Sequence, residues 1–261
     1  MMPSLFLAHG APTLALEQND YTKAMAQATR ELPRPRAILL FSAHWESRVQ
    51  EVSAVQQYGM IYDFGGFAQE LYEIVYPAMG DAALAQEVAR LLTDAGIPVR
   101  MEDRRGLDHG AWVILKHLYP QADVPVIAMS VNPELTPEQQ YAVGKALSAL
   151  RARDVLIVGS GGTVHNFATM RSSRGDRPDD WAVEFEEWIA DKVTRWDLSA
   201  LFRYEELAPH ARMAVPPHGN EHFVPLFYAM GAADDQRSAE RLHISFQLGN
   251  LSHVIWKFGK E

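Results

Sequence analysis

The chain has 261 residues, no cysteine and a formal net charge of -9 at pH 7. Without cysteine it has no disulfide, thiolate zinc site, iron–sulfur cluster or cysteine nucleophile. The negative charge and the lack of a Lys/Arg cluster argue against a nucleic-acid partner, and no apolar run approaches the ~20 residues of a membrane helix, so we expect a cytoplasmic protein with no membrane partner.

In the first half of the chain, apolar runs alternate with helix signals. Strands are predicted at residues 5–8 and 37–41, which are apolar runs followed by turn residues, at residues 49–55, where apolar and polar residues alternate loosely, and around Val99. Helices are predicted from a cap at Asn19 or Asp20 to residue 32, near residues 69–76 and over residues 81–95.

The second half continues the alternation. A helix is predicted through Trp112 to Leu118, another from Pro137, an acidic one over residues 181–196 and one over residues 221–228. Strands are predicted at residues 124–131 and 155–158, and two more, near residues 243–248 and 252–258, are expected to close the sheet.

Alternating strands and helices, with strands that are apolar throughout, indicate an α/β fold. We expect a central, mostly parallel or mixed sheet with helices on both faces. The sequence contains no linker, internal repeat or shift in composition. Residues 1–261 are therefore predicted to form a single catalytic domain.

Four histidines occupy equivalent places in this pattern. His9, His44 and His165 each lie a few residues past a predicted strand, and His109 lies on a glycine-flanked loop before a predicted helix. In open α/β sheets, ligands bind beyond the carboxyl ends of the strands, so these side chains can converge on one site there. Imidazole suits zinc, iron, copper and nickel. Glycines beside the histidines, at Gly10, Gly110 and Gly161–Gly162, allow close approach of the backbone.

The structural interpretation competes with the metal site at each position, because a single histidine at a strand end is more often a hydrogen-bonded structural residue. Four histidines at equivalent positions favour function. His218 and His222 are four residues apart, but Gly219 stands where a zinc-protease helix has glutamate, so that motif is absent. His222, beside Glu221 near a helix start, is the better ligand candidate of the two. Structural roles are assigned to His117, His210, His218, His243 and His253.

Seven segments together resemble the class III extradiol ring-cleaving dioxygenases, and within them the 4,5-DOPA extradiol dioxygenase group. They cover nearly the whole chain in family order. The segments are His9-Gly-Ala-Pro12, Ser42-Ala-His-Trp45, Asp63-Phe-Gly-Gly-Phe67 with Glu70-Leu-Tyr72, Tyr76-Pro77, Asp108-His-Gly-Ala-Trp112, Ser160-Gly-Gly-Thr-Val-His-Asn166 and Glu221-His-Phe-Val-Pro-Leu226.

The resemblance implies a role for each of five histidines. His9, His44 and His222 correspond to the ligands of one divalent metal ion, with iron(II) expected for activity and zinc(II) able to occupy the site in purified protein. His165 corresponds to the acid–base residue and is a candidate fourth ligand, and His109 to a second histidine on the substrate side. The implied reaction opens a catechol-type, DOPA-like ring with O2. Whether Glu221 contributes to the metal site stays open.

Two other functions fit the residues alone. Three histidines and a water also make a zinc hydrolase, and the fold and its histidines can serve a non-catalytic metal- or ligand-binding module. The sequence does not separate one catechol from another, and it leaves a homo-oligomer open. Trp45, Phe64, Phe67 and Trp112 either wall a ring-shaped pocket or belong to the core.

Overall fold

Within residues 1–170 and 177–260, the part of the chain that this computed structural model describes, eight strands form one sheet. The strands are β1 (Ser4–Ala8), β2 (Ala37–Glu46), β3 (Gln50–Ser53), β4 (Val99–Glu102), β5 (Val126–Val131), β6 (Val155–Gly161), β7 (Ala239–Gln247) and β8 (Leu251–Phe258). Their order is β4-β3-β5-β2-β6-β1-β8-β7.

The sheet is mixed, with a parallel centre. Strand β2 pairs in parallel with β5 and β6, and β6 pairs in parallel with β1. Antiparallel pairing begins toward the two outermost strands, where β3 pairs with β5 and β8 pairs with β1. The carboxyl ends of β1, β2, β5 and β6 therefore lie at one edge of the sheet, which is where the sequence predicts a site.

Helices cover both faces. They are α1 (Asp20–Arg30), α2 (Ala82–Asp94), α3 (His109–Leu118), α4 (Pro137–Ala146), α5 (Asp180–Thr194), α6 (Leu198–Leu201), α7 (Tyr204–Leu207), α8 (Ala211–Ala214) and α9 (Val224–Ala232). None of the described helices has the length and apolar character needed to cross a bilayer. The predicted α/β class, with its two helical layers, is confirmed.

Successive residues of the central strands pack on opposite faces. Leu5 and Leu7 of β1 lie in the apolar cluster that contains residues of α1 and α3, whereas Phe6 lies in the cluster under α5 and α9. In β2, Leu40 likewise faces the α1/α3 side and Leu39 the side of α2, α4 and α9. A strand covered on both faces needs apolar residues at every position, which explains the continuous apolar runs.

Two predicted helix starts follow from capping. The side chain of Asn19 accepts a hydrogen bond from the Thr22 amide in a capping box, so α1 begins at Asp20. Asp81 accepts from the Leu84 amide in front of α2, and Gly96, at φ +77°, follows the end of that helix.

Three local predictions were wrong. Residues 69–76 form only a 3-10 turn, Gln69–Glu73, because Ile74 is extended and Tyr76 precedes Pro77, which disfavours helix. Residues 221–223 form a turn, and α9 begins at Val224. Strand β2 continues through residues 42–46, so His44 lies in the strand and not beyond it.

Candidate metal centre

Five of the histidines reach the carboxyl edge of the sheet by different routes. His9 directly follows β1, and His165 follows β6 within its loop. His109 is the first residue of α3, with Asp108 as the N-cap, and not a loop residue before the helix as predicted. His222 lies in the turn before α9. His44 lies in β2, where the register with β5 is interrupted between Phe41 and Glu46, and such irregularities re-aim side chains.

The Nε2 atoms of three of these histidines converge. His9 Nε2 lies 3.0 Å from His44 Nε2, and His222 Nε2 lies 3.3 Å from His44 Nε2. Nitrogens that ligate one ion at about 2.0–2.1 Å and roughly tetrahedral angles are about 3.3 Å apart, and smaller angles bring them closer. The spacing therefore fits three ligands of a single ion.

The tautomer of His9 follows from its outer partner. The hydroxyl of Ser160 donates to the carbonyl oxygen of Gly110, so the Ser160 oxygen is left to accept from His9 Nδ1, which is 3.1 Å away. The proton of a neutral His9 ring is thereby placed on Nδ1. The lone pair of Nε2 then points inward, toward the other two histidines.

Carboxylates place the proton of His44 and His222 in the same way. His44 Nδ1 lies 3.2 Å from Asp63 Oδ2, and His222 Nδ1 lies 2.8 Å from Glu221 Oε1. Metal-binding histidines characteristically donate their second N–H to such acceptors. Glu221 thus contacts the centre through His222, and the two carboxylates supply negative charge beside a position suited to a cation.

Electrostatics keep the buried rings neutral. Burial lowers the pKa of His9 well below its ordinary value, and any positive charge on His44 or His222 would lower it further. Burial also lowers the pKa of His222, again with His44 acting in the same direction. Three imidazoles with converging Nε2 atoms, and no thiolate in the chain, are a donor set that fits iron(II) or zinc(II).

Asp63 links His44 to His109. Its Oδ1 accepts from both the amide and Nδ1 of His109, at 3.0 and 2.8 Å. Burial alone would raise the pKa of Asp63, but the hydrogen bonds from His109 and His44 outweigh it and hold that pKa well below the ordinary value. With Nδ1 of His109 committed to the carboxylate, Nε2 is the ring atom left to meet a substrate.

His165 lies beside His222 and Glu221, with ligand atoms of the three residues within 4.8 Å of one another. Its ring stacks on that of His222 with centroids 3.6 Å apart and planes 8° apart. Burial, with positive charge on His222 as the next cause, lowers the pKa of His165 to about 2, so the ring is neutral at pH 7. Its amide donates to the carbonyl of Ala214, at 3.0 Å, which fixes the loop.

A cavity of about 560 Å³ opens beside the cluster. Four of the five histidines line it, all except His222, and this volume suits a small ligand. Apolar side chains form its wall: Phe64, Phe67, Phe167, Met170, Leu248 and Leu251. Phe64 and Phe67 are thus pocket residues, whereas Trp45 and Trp112 are buried in the core with their indole N–H groups bonded to Glu51 and Ile61.

The five histidines given structural roles lie outside the cluster. His117 bonds the carbonyl of Leu14, His210 bonds Glu184, and His243 bonds Ser245. His218 adopts φ +60° in the turn before His222. His253 stacks on Tyr21.

The sequence interpretation missed two residues of the site. Asp63 was noticed only as part of a motif, and Ser160 only as part of a glycine-rich turn. Both act through the Nδ1 atoms of other residues, 19 to 151 positions away in the chain. The signal that could have found Asp63 is a lone acid inside a glycine-rich loop, but no local pattern indicates which histidine it meets.

Adjacent glycines at the end of β6 make a testable contrast. A Cβ at Gly161 would overlap the backbone carbonyl of His222, whereas a Cβ at Gly162 would meet nothing closer than His165 Cβ at 3.9 Å. Gly161→Ala is therefore expected to displace the His222 backbone and weaken metal affinity by about tenfold or more, within the range for disturbed ligand support. Gly162→Ala is expected to bind metal as the wild type does.

The measurement is the zinc dissociation constant by competition with a chromophoric chelator, with circular dichroism as a check that both variants fold. Equal affinities for the two variants would show that the close contact between Gly161 and His222 does not set the ligand position.

The other glycines that flank the histidines are also sterically restricted. Gly10 adopts φ +63°, and a Cβ at Gly110 would lie 2.8 Å from His44 Cδ2.

Comparison with known proteins agrees with this geometry. The family described as "Catalytic LigB subunit of aromatic ring-opening dioxygenase" matches residues 3–259. A Beta vulgaris protein named "4,5-DOPA dioxygenase extradiol" is 38% identical over 260 residues, covering 98% of this chain and 96% of its own. The Escherichia coli (strain K12) protein of the same name is 36% identical over 263 residues, covering 99% and 95%. A crystal structure of an uncharacterized protein from Escherichia coli K12 superposes with a TM-score of 0.85 at 33% identity, covering 99% of this chain and all of that one.

Proposed function

We propose, from the premise that this chain belongs to the LigB family of aromatic ring-opening dioxygenases, that its histidine centre uses iron(II) to open a catechol-type, DOPA-like substrate. The activity of the family is extradiol ring cleavage, an oxidoreductase reaction, and the family depends on a metal. The activity of the family favours a dioxygenase over the two alternatives that the residues alone left open, a zinc hydrolase and a non-catalytic binding module. Beyond the activity of the family, the identity of the ion, the role of each residue and the substrate are what we propose for this chain.

The convergence of three inward Nε2 atoms is the observation that carries the metal assignment. We assign His9, His44 and His222 as the ligands. Ser160, Asp63 and Glu221 hold their Nδ1 protons outward, so each ring presents a lone pair without first losing a proton. Iron(II), when bound by these three residues, would supply the electron exchange with O2 that zinc cannot provide.

His165 is assigned as the residue that takes the catechol proton. Its ring is neutral at pH 7 in the absence of substrate, and it lines the cavity beside the proposed ligands. A substrate oxygen that gains negative charge next to His165 raises the pKa of the protonated ring. The residue can therefore hold the proton while the substrate is bound and return it to the product.

His109 is assigned to orient the substrate. Asp63 accepts from Nδ1, so Nε2 is the ring nitrogen left to hydrogen-bond the second hydroxyl. The rings of His44 and His109 have centroids 4.0 Å apart, which places this acceptor beside a ligand. The ring centroid of Phe64 lies 5.8 Å from that of His109, in an edge-on arrangement. Phe64 can therefore contact the flat ring of the substrate and exclude water from it.

Oxygen uptake tests the proposed function. Protein freed of metal and loaded anaerobically with iron(II) is expected to consume O2 and form a yellow semialdehyde when DOPA, caffeate or other catechols are added in air. Zinc-loaded protein is the control and is expected to consume none. An iron-loaded enzyme that takes up no oxygen with any catechol of the panel would contradict the proposal.

A further inference from the structure

We propose that Tyr21 and His253 form a clamp on the backbone of His9 that sets the affinity of the centre for metal. They act as positioning residues, since neither lines the cavity that the histidines share. The inference rests on the proposed role of His9 as a ligand. Its basis is the contacts on the two residues that flank His9, Ala8 and Gly10.

Tyr21 holds the peptide unit that precedes the His9 side chain. Tyr21 is 2% exposed, and its hydroxyl donates to the carbonyl oxygen of Ala8. The nitrogen of the same peptide unit, that of His9, donates to the carbonyl oxygen of Gly161 at 3.1 Å. Because a peptide unit is planar and stiff, hydrogen bonds at its oxygen and its nitrogen fix the plane from both sides.

The helix that carries Tyr21 is anchored at that point. Tyr21 is the second residue of α1, directly behind the Asn19 capping box. Its hydroxyl also lies 3.4 Å from the carbonyl oxygen of Val254 on β8. The hydroxyl therefore lies between the end of β1 and the middle of β8, at the start of a helix whose own position is set by its cap.

His253 packs against Gly10, the residue that follows His9. It is 4% exposed, and its ring stacks on Tyr21 with centroids 4.5 Å apart and planes 10° apart. A Cβ at Gly10 would lie 2.9 Å from His253 Nε2, so the imidazole packs directly on the Gly10 backbone. Gly10, at φ +63°, tolerates this approach where other residues would not.

The ring of His253 restrains Gly10 by packing against it and not by a hydrogen bond from Nε2. Among the described residues its Nε2 is buried without a hydrogen-bond partner, an arrangement that costs stability. Burial, with His243 as the second cause, lowers the pKa of His253 to about 4. A neutral ring with an unsatisfied nitrogen is therefore held against Gly10, where it limits movement of the residue that follows His9.

Tyr21→Phe against Tyr58→Phe tests the hydroxyl of the clamp. Tyr58 is also buried and also donates to a strand carbonyl, that of Val126 at 3.1 Å, but it does not contact the residues beside His9. Cobalt(II) is titrated into each metal-free protein, with a competing chelator and the cobalt absorption bands as readouts. We expect Tyr21→Phe to raise the cobalt Kd about tenfold, and Tyr58→Phe to change it less than twofold while losing comparable thermal stability.

His253→Ala against His243→Ala tests the ring. His243 also lies beside Tyr21, with ring centroids 5.2 Å apart, but the atoms nearest to a Cβ at Gly10 belong to His253 and Leu14. We expect only His253→Ala to weaken cobalt binding. If Tyr21→Phe binds cobalt as tightly as Tyr58→Phe, or His253→Ala as tightly as His243→Ala, the role assigned to that residue is overturned. Wild-type protein that fails to bind one cobalt per chain would instead overturn the metal centre itself.

Discussion

Replacing His44 with alanine is expected to abolish stoichiometric metal binding. His44 Nε2 lies 3.0 Å from His9 Nε2 and 3.3 Å from His222 Nε2, the two other proposed ligand atoms. Zinc held by four protein ligands is bound by roughly 10–16 kcal/mol, or about 3 kcal/mol per ligand. Loss of one ligand should therefore raise the Kd by about a hundredfold or more.

Metal content by atomic absorption and the shift of the melting temperature on adding zinc check this prediction. A ligand that binds only the folded state raises the melting temperature, and a tighter ligand raises it more, so His44→Ala should show a much smaller shift than the wild type at the same zinc concentration. His210→Ala is the control, because His210 is a partly exposed histidine paired with Glu184. Wild-type metal affinity in His44→Ala would remove His44 from the ligand set.

Replacing His165 with alanine is expected to leave the metal bound and to slow turnover by about 10²–10⁴-fold, the usual contribution of a general acid–base residue. His165 lines the cavity and stacks on His222, whereas the three inward Nε2 atoms belong to other rings. The effect should fall on kcat more than on KM, because the proton transfer occurs after the substrate is bound.

Oxygen consumption and bound iron are measured on the same samples. His117→Ala is the control, because His117 is a partly buried histidine that bonds the carbonyl of Leu14 away from the centre. Unchanged turnover in His165→Ala would reject its acid–base role. Loss of the metal from that variant would place His165 among the ligands, as a fourth one.

Turn signals and apolar runs predicted most of the fold because they report on local physics. The continuous apolar run at residues 37–41 requires burial on two faces, and the structure places Leu39 and Leu40 in different clusters. Capping residues such as Asn19 and Asp81 act over three residues, so the starts of α1 and α2 were readable. The helix predicted at residues 69–76 failed because Ile74 is extended and Tyr76 precedes Pro77, and the apolar periodicity on which the prediction relied takes no account of that proline.

The sequence by itself determined which donors a metal centre can have. With no cysteine, imidazoles and carboxylates are the main side-chain donors left for a transition metal, and the motifs placed His9 and His165 after predicted strands. The class of reaction followed from those motifs as a resemblance, and the family match bears it out.

Only the tertiary structure decided how the histidines are arranged. His44 and His222 are 178 residues apart in the chain, and they meet because β2, β6 and β1 are neighbours in the sheet while Gly161 lets the turn before α9 lie against β6. Strand order and close backbone contact are long-range properties, which no local pattern encodes. For the same reason Asp63, Ser160 and Glu221, which hold the ring protons outward, gained their roles only once the chain was folded.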